Sequence, residues 1–321
     1  MSKARSLAEL GNVYDDGALS NRNLIINGAM QVAQRGTSQT ATGYGSVDRM
    51  ALALSGATAT MTQETLTLGQ TDLPSQFRKF ARIATTTGNN NCGLYHRIED
   101  VETAEGQVTL SFYAKGTNPA SGSFDVYLYQ GFGSGGSAGV VTTAQSLTLT
   151  SSWQRFEFTF TLASLSGKTV GAGSNIELDI VQPNADTGTA AWTLDFTGVQ
   201  LEVGDTATDF EHRSYGDELA RCQRYFERQT DIQGIGVSSS AVSCFGSGVR
   251  FSFKRTTPTI RIENSGGTAN YITWNTAGVS GESVASGVSN TTILATRPFT
   301  SSTTSARNSF SIYLMDVDAE L

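Results

Sequence analysis

The chain has 321 residues, enough for two domains that each bury a core. Charged residues make up only 16% against 38% hydrophobic, with 34 glycines, a balance that favours short strands joined by many turns. The net charge of −7 falls within residues 24–210, which hold 16 acidic and 9 basic side chains, so no clustered Lys and Arg exist to displace counterions from nucleic acid.

No stretch approaches the roughly 18 apolar residues of a membrane span, and no apolar run follows Lys3 and Arg5. Membrane insertion is therefore not expected, and folding in a cytoplasm is. Cys92, Cys222 and Cys244 are an odd number at wide spacings, which fits buried reduced thiols better than a disulfide framework.

Residues 1–23 combine a short helical pattern, Ser2 to Leu10, with a turn-rich stretch, and are too brief to own a core. From Asn23 the pattern changes to Leu24-Ile25-Ile26, a turn at Asn27-Gly28, and then alternating apolar and polar runs. Val108, Leu110, Phe112 and Ala114 form one apolar row; Phe124, Val126 and Leu128 form a second. Phe156, Phe158 and Phe160 make a third, and Ile176, Leu178 and Ile180 a fourth. No crossover helices interrupt them, so antiparallel sheets packed as a jelly-roll sandwich are predicted over 24–210. The charged Ser214 to Arg228 segment, with Ser214 and Asp217 as a capping pair and Leu219, Cys222 and Phe226 on one stripe, predicts a helix linking two β domains. Beyond it, Val249, Phe251 and Phe253, then Ile260 and Ile262, Tyr271 to Thr276 and Phe310 to Met315 predict a second, smaller β domain over 229–321.

Motifs for catalysis are weak. Gly131-Phe-Gly133-Ser-Gly135-Gly136 satisfies a dinucleotide fingerprint, and Gly135-Gly-Ser137-Ala-Gly139 a nucleophile elbow, but β-like sequence follows both, so a loop between strands is expected. His96 and His212 lie in different elements without metal-like spacing, and are read as structural. Glu99, Asp100, Glu102 and Glu105 lack the alternating ligand pattern of a calcium loop and read as a solvated turn. No 20–50-residue period of the kind a stacked depolymerase would carry is present. For binding, Tyr127 and Tyr129 face opposite to Phe124, Val126 and Leu128, giving a sugar face or a subunit contact. Asn270, Tyr271, Trp274 and Asn275 mix aromatic and amide groups, which suits sugar rings as well as a core or a subunit seam.

Several segments, in order, resemble a group of phage tail-fibre-like proteins over residues 23–228. They are Asn23-Leu-Ile-Ile-Asn-Gly-Ala-Met-Gln-Val-Ala-Gln-Arg-Gly36, Val47-Asp-Arg49, Val108 to Gly116, Val199-Gln-Leu-Glu-Val-Gly204, Phe210-Glu-His-Arg-Ser-Tyr215 and Cys222-Gln-Arg-Tyr-Phe226. The Val108 to Gln200 portion is similar to a carbohydrate-binding-module jelly roll, whose late strands place a structural calcium ligand near the position of Asp195. The resemblance implies a homotrimeric virion appendage, and the lack of a catalytic constellation among the residues leaves neither enzymatic activity nor a cofactor expected. Residues 1–23 would dock on a phage tail or baseplate protein, 211–228 would form the trimer contact through Leu219, Cys222 and Phe226, and 229–321 would be a tip that binds a host cell-surface glycan. A polysaccharide-degrading tail spike and a head or collar fibre without a receptor role are the alternatives.

Overall fold

A computed structural model describes residues 22–321 except 68, 90, 241–242, 247, 277–278, 286, 290 and 301–306; side chains are described outside 236–247, 274–290 and 297–308. The segment 1–21, expected to dock on a particle, lies outside the described residues, as does the Cys244 side chain. The fold is mainly antiparallel β, and the chain divides between Glu218 and Leu219 into two compact units.

The first unit is the predicted jelly-roll sandwich. In chain order its strands are β1 (Ser38–Gln39), β2 (Ala51–Ala53), β3 (Thr58–Thr65), β4 (Lys79–Thr87), β5 (Gly93–Glu99) and β6 (Gly106–Thr117). They continue with β7 (Phe124–Gly131), β8 (Val140–Val141), β9 (Gln145–Leu147), β10 (Gln154–Leu162), β11 (Asn175–Val181) and β12 (Thr193–Val203). One sheet runs β1-β3-β4-β12-β6-β10 and the other β2-β5-β11-β7-β8, with β9 also pairing β7. The four apolar rows meet between them: Phe112 stacks on Phe158 at 6.0 Å, and Phe124 meets Trp192 edge-on at 4.8 Å. Within β12 the register shifts between Thr197 and Gln200, and Gly198 occupies the bulge at φ +64, where a Cβ would come within 2.6 Å of Phe77 Cζ.

Helix α1 (Tyr215–Gln223) follows, capped as predicted: Ser214 Oγ accepts from the Asp217 amide at 3.2 Å. It ends five residues before the expected Arg228. Phe226 does not extend its stripe but opens β13 (Phe226–Ser240), paired with β21 (Arg307–Asp318) from Phe226 opposite Asp318 onward. The Tyr225 amide turns back to the Cys222 carbonyl, and the long ladder with β21 overrides helical propensity.

The second unit also contains β14 (Ser243–Gly246), β15 (Val249–Arg250), β16 (Thr259–Glu263), β17 (Tyr271–Thr276), β18 (Val279–Ala285), β19 (Gly287–Ser289) and β20 (Ala295–Thr300). Its nine strands form one sheet around β13 and β21. Val249, Phe251, Ile262, Ile272, Phe310, Ile312, Met315 and Val317 are its core. The row predicted through Phe253 stops earlier. Phe253 is 53% exposed, because the chain leaves the ladder after Arg250 and turns Lys254 inward, where it pairs with Glu227 at 3.0 Å.

Candidate functional site

Strand parity and register bring together, on the outward face of the β2-β5-β11-β7-β8 sheet, residues far apart in sequence. Leu94, His96 and Ile98 of β5, Ile176, Leu178 and Ile180 of β11, and Phe124, Val126 and Leu128 of β7 fill the core, so alternate residues face out. Asp179 is registered opposite Tyr95 on one side and Tyr127 on the other; Glu177 is opposite Arg97 and Tyr129. The result is one rung of Tyr95, Asp179 and Tyr127, and a second of Arg97, Glu177 and Tyr129. With strands about 4.8 Å apart, the Tyr95 and Tyr127 backbones stand roughly 10 Å from each other across Asp179.

Each group has a distinct state. Glu177 is ion-paired with Arg97 at 2.5 Å, and the Arg97 guanidinium lies 5.1 Å from the centre of the Tyr95 ring. Tyr44 extends the aromatic surface, edge-on to Tyr95 at 6.0 Å, with Arg49 and Arg35 over its ring. Tyr129 is seated by a glycine: a Cβ on Gly139 would fall 2.1 Å from the Tyr129 hydroxyl. The Gly-rich segment that carried formal nucleotide and nucleophile motifs is thus a loop, as expected, and its glycine leaves room for this ring. Val141, 58% exposed, is registered beside Tyr129.

Asp179 is the unusual member. It is 7% exposed, although it belongs to an outward row, and its carboxyl takes no hydrogen bond from the described residues. Burial between the two rings pushes its pKa up to about 8, the negative charge of Glu177 adds to this, and Arg97 opposes it. The Tyr127 hydroxyl is raised too, first by burial and then by Asp179, Glu177 and Asp125. A protonated carboxyl can donate one hydrogen bond and accept others, which suits a hydroxyl-rich ligand.

Tyr127 and Tyr129 are therefore on one face, as parity predicted, whereas Tyr95, Asp179, Glu177, Arg97 and Tyr44 were missed. The sequence signal for them was outward parity in β5 and β11; the strand order 5-11-7 carries the rest. In the second unit Asn270 is exposed at φ 62, and Tyr271 is half-buried at the start of β17. Trp274 is registered opposite Phe310 and Asn275 opposite Ser309, and both side chains lie outside the described residues.

Asp195 is no free cation ligand: its two oxygens receive Arg82 Nε and Nη2, both at 2.7 Å. Among the described residues, no cluster of three or more His, Cys, Asp and Glu side chains could hold a metal. Of the residues expected at a trimer contact, Cys222 and Phe226 are 1% and 2% exposed within the single chain and Leu219 is partly exposed. His96 is buried, its Nδ1 2.9 Å from the Arg49 carbonyl. His212 is exposed and lines an open pocket of about 480 Å³ with Gln31, Arg78 and Tyr215.

The segments behind the phage-fibre resemblance fold into a clamp. Asn23 Nδ2 donates to the Val199 carbonyl at 3.1 Å, and Asn23 Oδ1 accepts from the Ile25 and Leu201 amides. Gly28 is required where its backbone meets Val199, since a Cβ would lie 2.1 Å from that carbonyl oxygen. Arg213 donates to the Ile25 carbonyl at 3.0 Å and to the Asn23 carbonyl, and pairs with Glu211 and buried Glu218; Glu218 in turn accepts from the Asn27 amide. Asp48 accepts from the amide and side chain of Gln34, while Asn27 caps the carbonyls of Val32 and Asp48. These motif residues hold the ends of the sandwich together.

No protein-family model matches the chain, and no curated protein matches it. Among solved structures it is similar to carbohydrate-binding jelly rolls. A putative sugar binding protein from Bacteroides thetaiotaomicron aligns with 14% identity and TM-score 0.35, over 56% of this chain and 99% of that one. A family 11 carbohydrate-binding module from Clostridium thermocellum, in complex with a mixed-linked tetrasaccharide, aligns with 13% identity and TM-score 0.31, over 55% and 98%. The enzymatically active domain of tailspike protein 4 from Bacteriophage CBA120 aligns with 12% identity and TM-score 0.34, over 56% of this chain but 21% of that one.

Proposed function

We propose that this protein binds glycans without cleaving them, through the outward face of the β5-β11-β7 ladder, as part of a homotrimeric phage tail-fibre-like appendage that attaches to a host cell surface. The observation that carries the glycan reading is the Tyr95, Asp179, Tyr127 rung: two rings about two strand spacings apart, with a hydrogen-bonding carboxyl between them. Sugar rings bind by stacking C–H faces on aromatic surfaces while polar groups take the hydroxyls. This reading puts glycan contact on the sandwich in addition to the tip beyond Arg228, where the sequence alone puts it. The appendage part of the reading is supported by the sequence resemblance over residues 23–228, and the N-terminal docking and the tip belong to it alone.

Isothermal titration of the full chain with neutral oligosaccharides tests the glycan reading. Tyr95→Ala and Tyr127→Ala are each expected to weaken binding about tenfold or more, the scale of a central aromatic anchor. Heat exchange with no oligosaccharide, or unchanged affinity in both variants, sinks it. Labelling on intact particles by electron microscopy tests the appendage reading and separates a tail from a head or collar position.

A cleaving role draws on one observation of its own. Asp179, held protonated, and Glu177, paired with Arg97, lie two residues apart on one face, and glycoside hydrolysis uses two carboxyl groups in different states. New reducing ends after prolonged incubation with surface polysaccharide would establish it in place of binding alone.

A further inference from the structure

We propose that the outward face at Tyr95, Asp179 and Tyr127 is a subsite for an uncharged sugar ring, at which the Asp179 carboxyl donates one hydrogen bond to a ring hydroxyl and accepts another, and that the same face turns away uronates and other anionic sugars. The inference rests on the glycan-binding reading above. The Asp179 carboxyl is 7% exposed, registered between Tyr95 and Tyr127, and takes no hydrogen bond from the described residues. Burial of such a group costs free energy unless a partner arrives, and a bound hydroxyl pair supplies that partner.

The charged and titratable groups around Asp179 set the sign of the selectivity. From β5 it faces Tyr95 and Arg97, from its own strand Glu177, and from β7 Tyr127, Tyr129 and Asp125. The single guanidinium among them is taken by Glu177 at 2.5 Å. A ligand carboxylate beside Asp179 would therefore meet Glu177 and Asp125, with Arg97 already paired and Arg35 and Arg49 lying over the Tyr44 ring instead, a repulsive element of the kind that produces discrimination. An uncharged ring meets no such penalty, and it finds Asp179 holding its proton through neutral pH, where burial and Glu177 keep it.

The test is titration of the full-length chain with hexaoses of glucose, mannose and galactose in neutral linkages, with trigalacturonate, and with glucosamine oligomers, from pH 5.5 to 9. Asp179→Asn mimics the neutral carboxyl at the same size, and Asp179→Ala removes it. At pH 6 a neutral hexaose is expected to bind wild type and Asp179→Asn within about threefold of each other, with Asp179→Ala about tenfold or more weaker and trigalacturonate not binding. For wild type, affinity falls severalfold as the pH passes about 8, whereas Asp179→Asn stays level. The carboxyl carbon resonance of Asp179, followed in the folded chain, reports the proton directly. Neutral binding that survives Asp179→Ala overturns this proposal and leaves the glycan reading standing. So does trigalacturonate binding as tightly as a neutral hexaose, or a glucosamine oligomer binding more tightly than its neutral counterpart. Binding of no sugar at all overturns both.

Discussion

Asp179 and His96 lie on opposite sides of β-sheet strands yet share one property: each is held in its uncharged form by burial, and each makes stability depend on pH in the opposite direction. His96 Nδ1 faces the Arg49 carbonyl and so carries the hydrogen, while Nε2 is buried without a partner among the described residues. Burial, with the Arg49 charge added, lowers its pKa from 6.5 to about 3. The unfolded chain takes up a proton below 6.5 that the folded chain refuses until about 3, so stability drops as pH falls through that window, by about 1.4 kcal/mol per unit. Urea unfolding between pH 4 and 7 is expected to show this acid slope in wild type and a flatter one in His96→Gln. Asp179 works in reverse. The folded chain keeps its proton to about pH 8 while the unfolded chain releases it near the ordinary 3.8, so stability is lost as pH rises between them. Asp179→Asn should match wild type near pH 4 and exceed it by a few kcal/mol at pH 8, measured by the same unfolding curves.

At the scale of elements, the alternation in β6, β7, β10 and β11 is legible in the sequence because a residue's face depends only on its own strand. Which strands lie side by side is not. Tyr127 could be placed outward from its own row, but its neighbour Asp179 comes from β11 and Tyr95 from β5, and only the order of non-consecutive strands joins them. Asp195 had the same difficulty, since its partner Arg82 is 113 residues away on β4. The helix was legible at its start, where Ser214 acts within four residues, and not at its end, where pairing with β21 about 90 residues later claims Phe226. The clamp is also an element-scale device. Arg213→Ala removes its donors to the Asn23 and Ile25 carbonyls and leaves Glu218 buried beside fewer partners, so a loss of about 3–5 kcal/mol is expected in thermal or urea unfolding.

For the whole molecule, the division at Glu218 and Leu219 places a complete sandwich before it and a separate nine-stranded sheet after it. If the appendage reading holds, light scattering on a sizing column gives three times the 34.0 kDa chain mass at micromolar concentration; a monomer mass removes the trimer from it. The clamp has a mechanical consequence. Because Asn23 and Arg213 tie together the points where the chain enters and leaves the sandwich, tension pulled along the polypeptide is carried across that short bridge of hydrogen bonds and ion pairs. The strands of the sandwich hang beside the line of force as a spur, and the β2-β5-β11-β7-β8 sheet keeps its shape under that load.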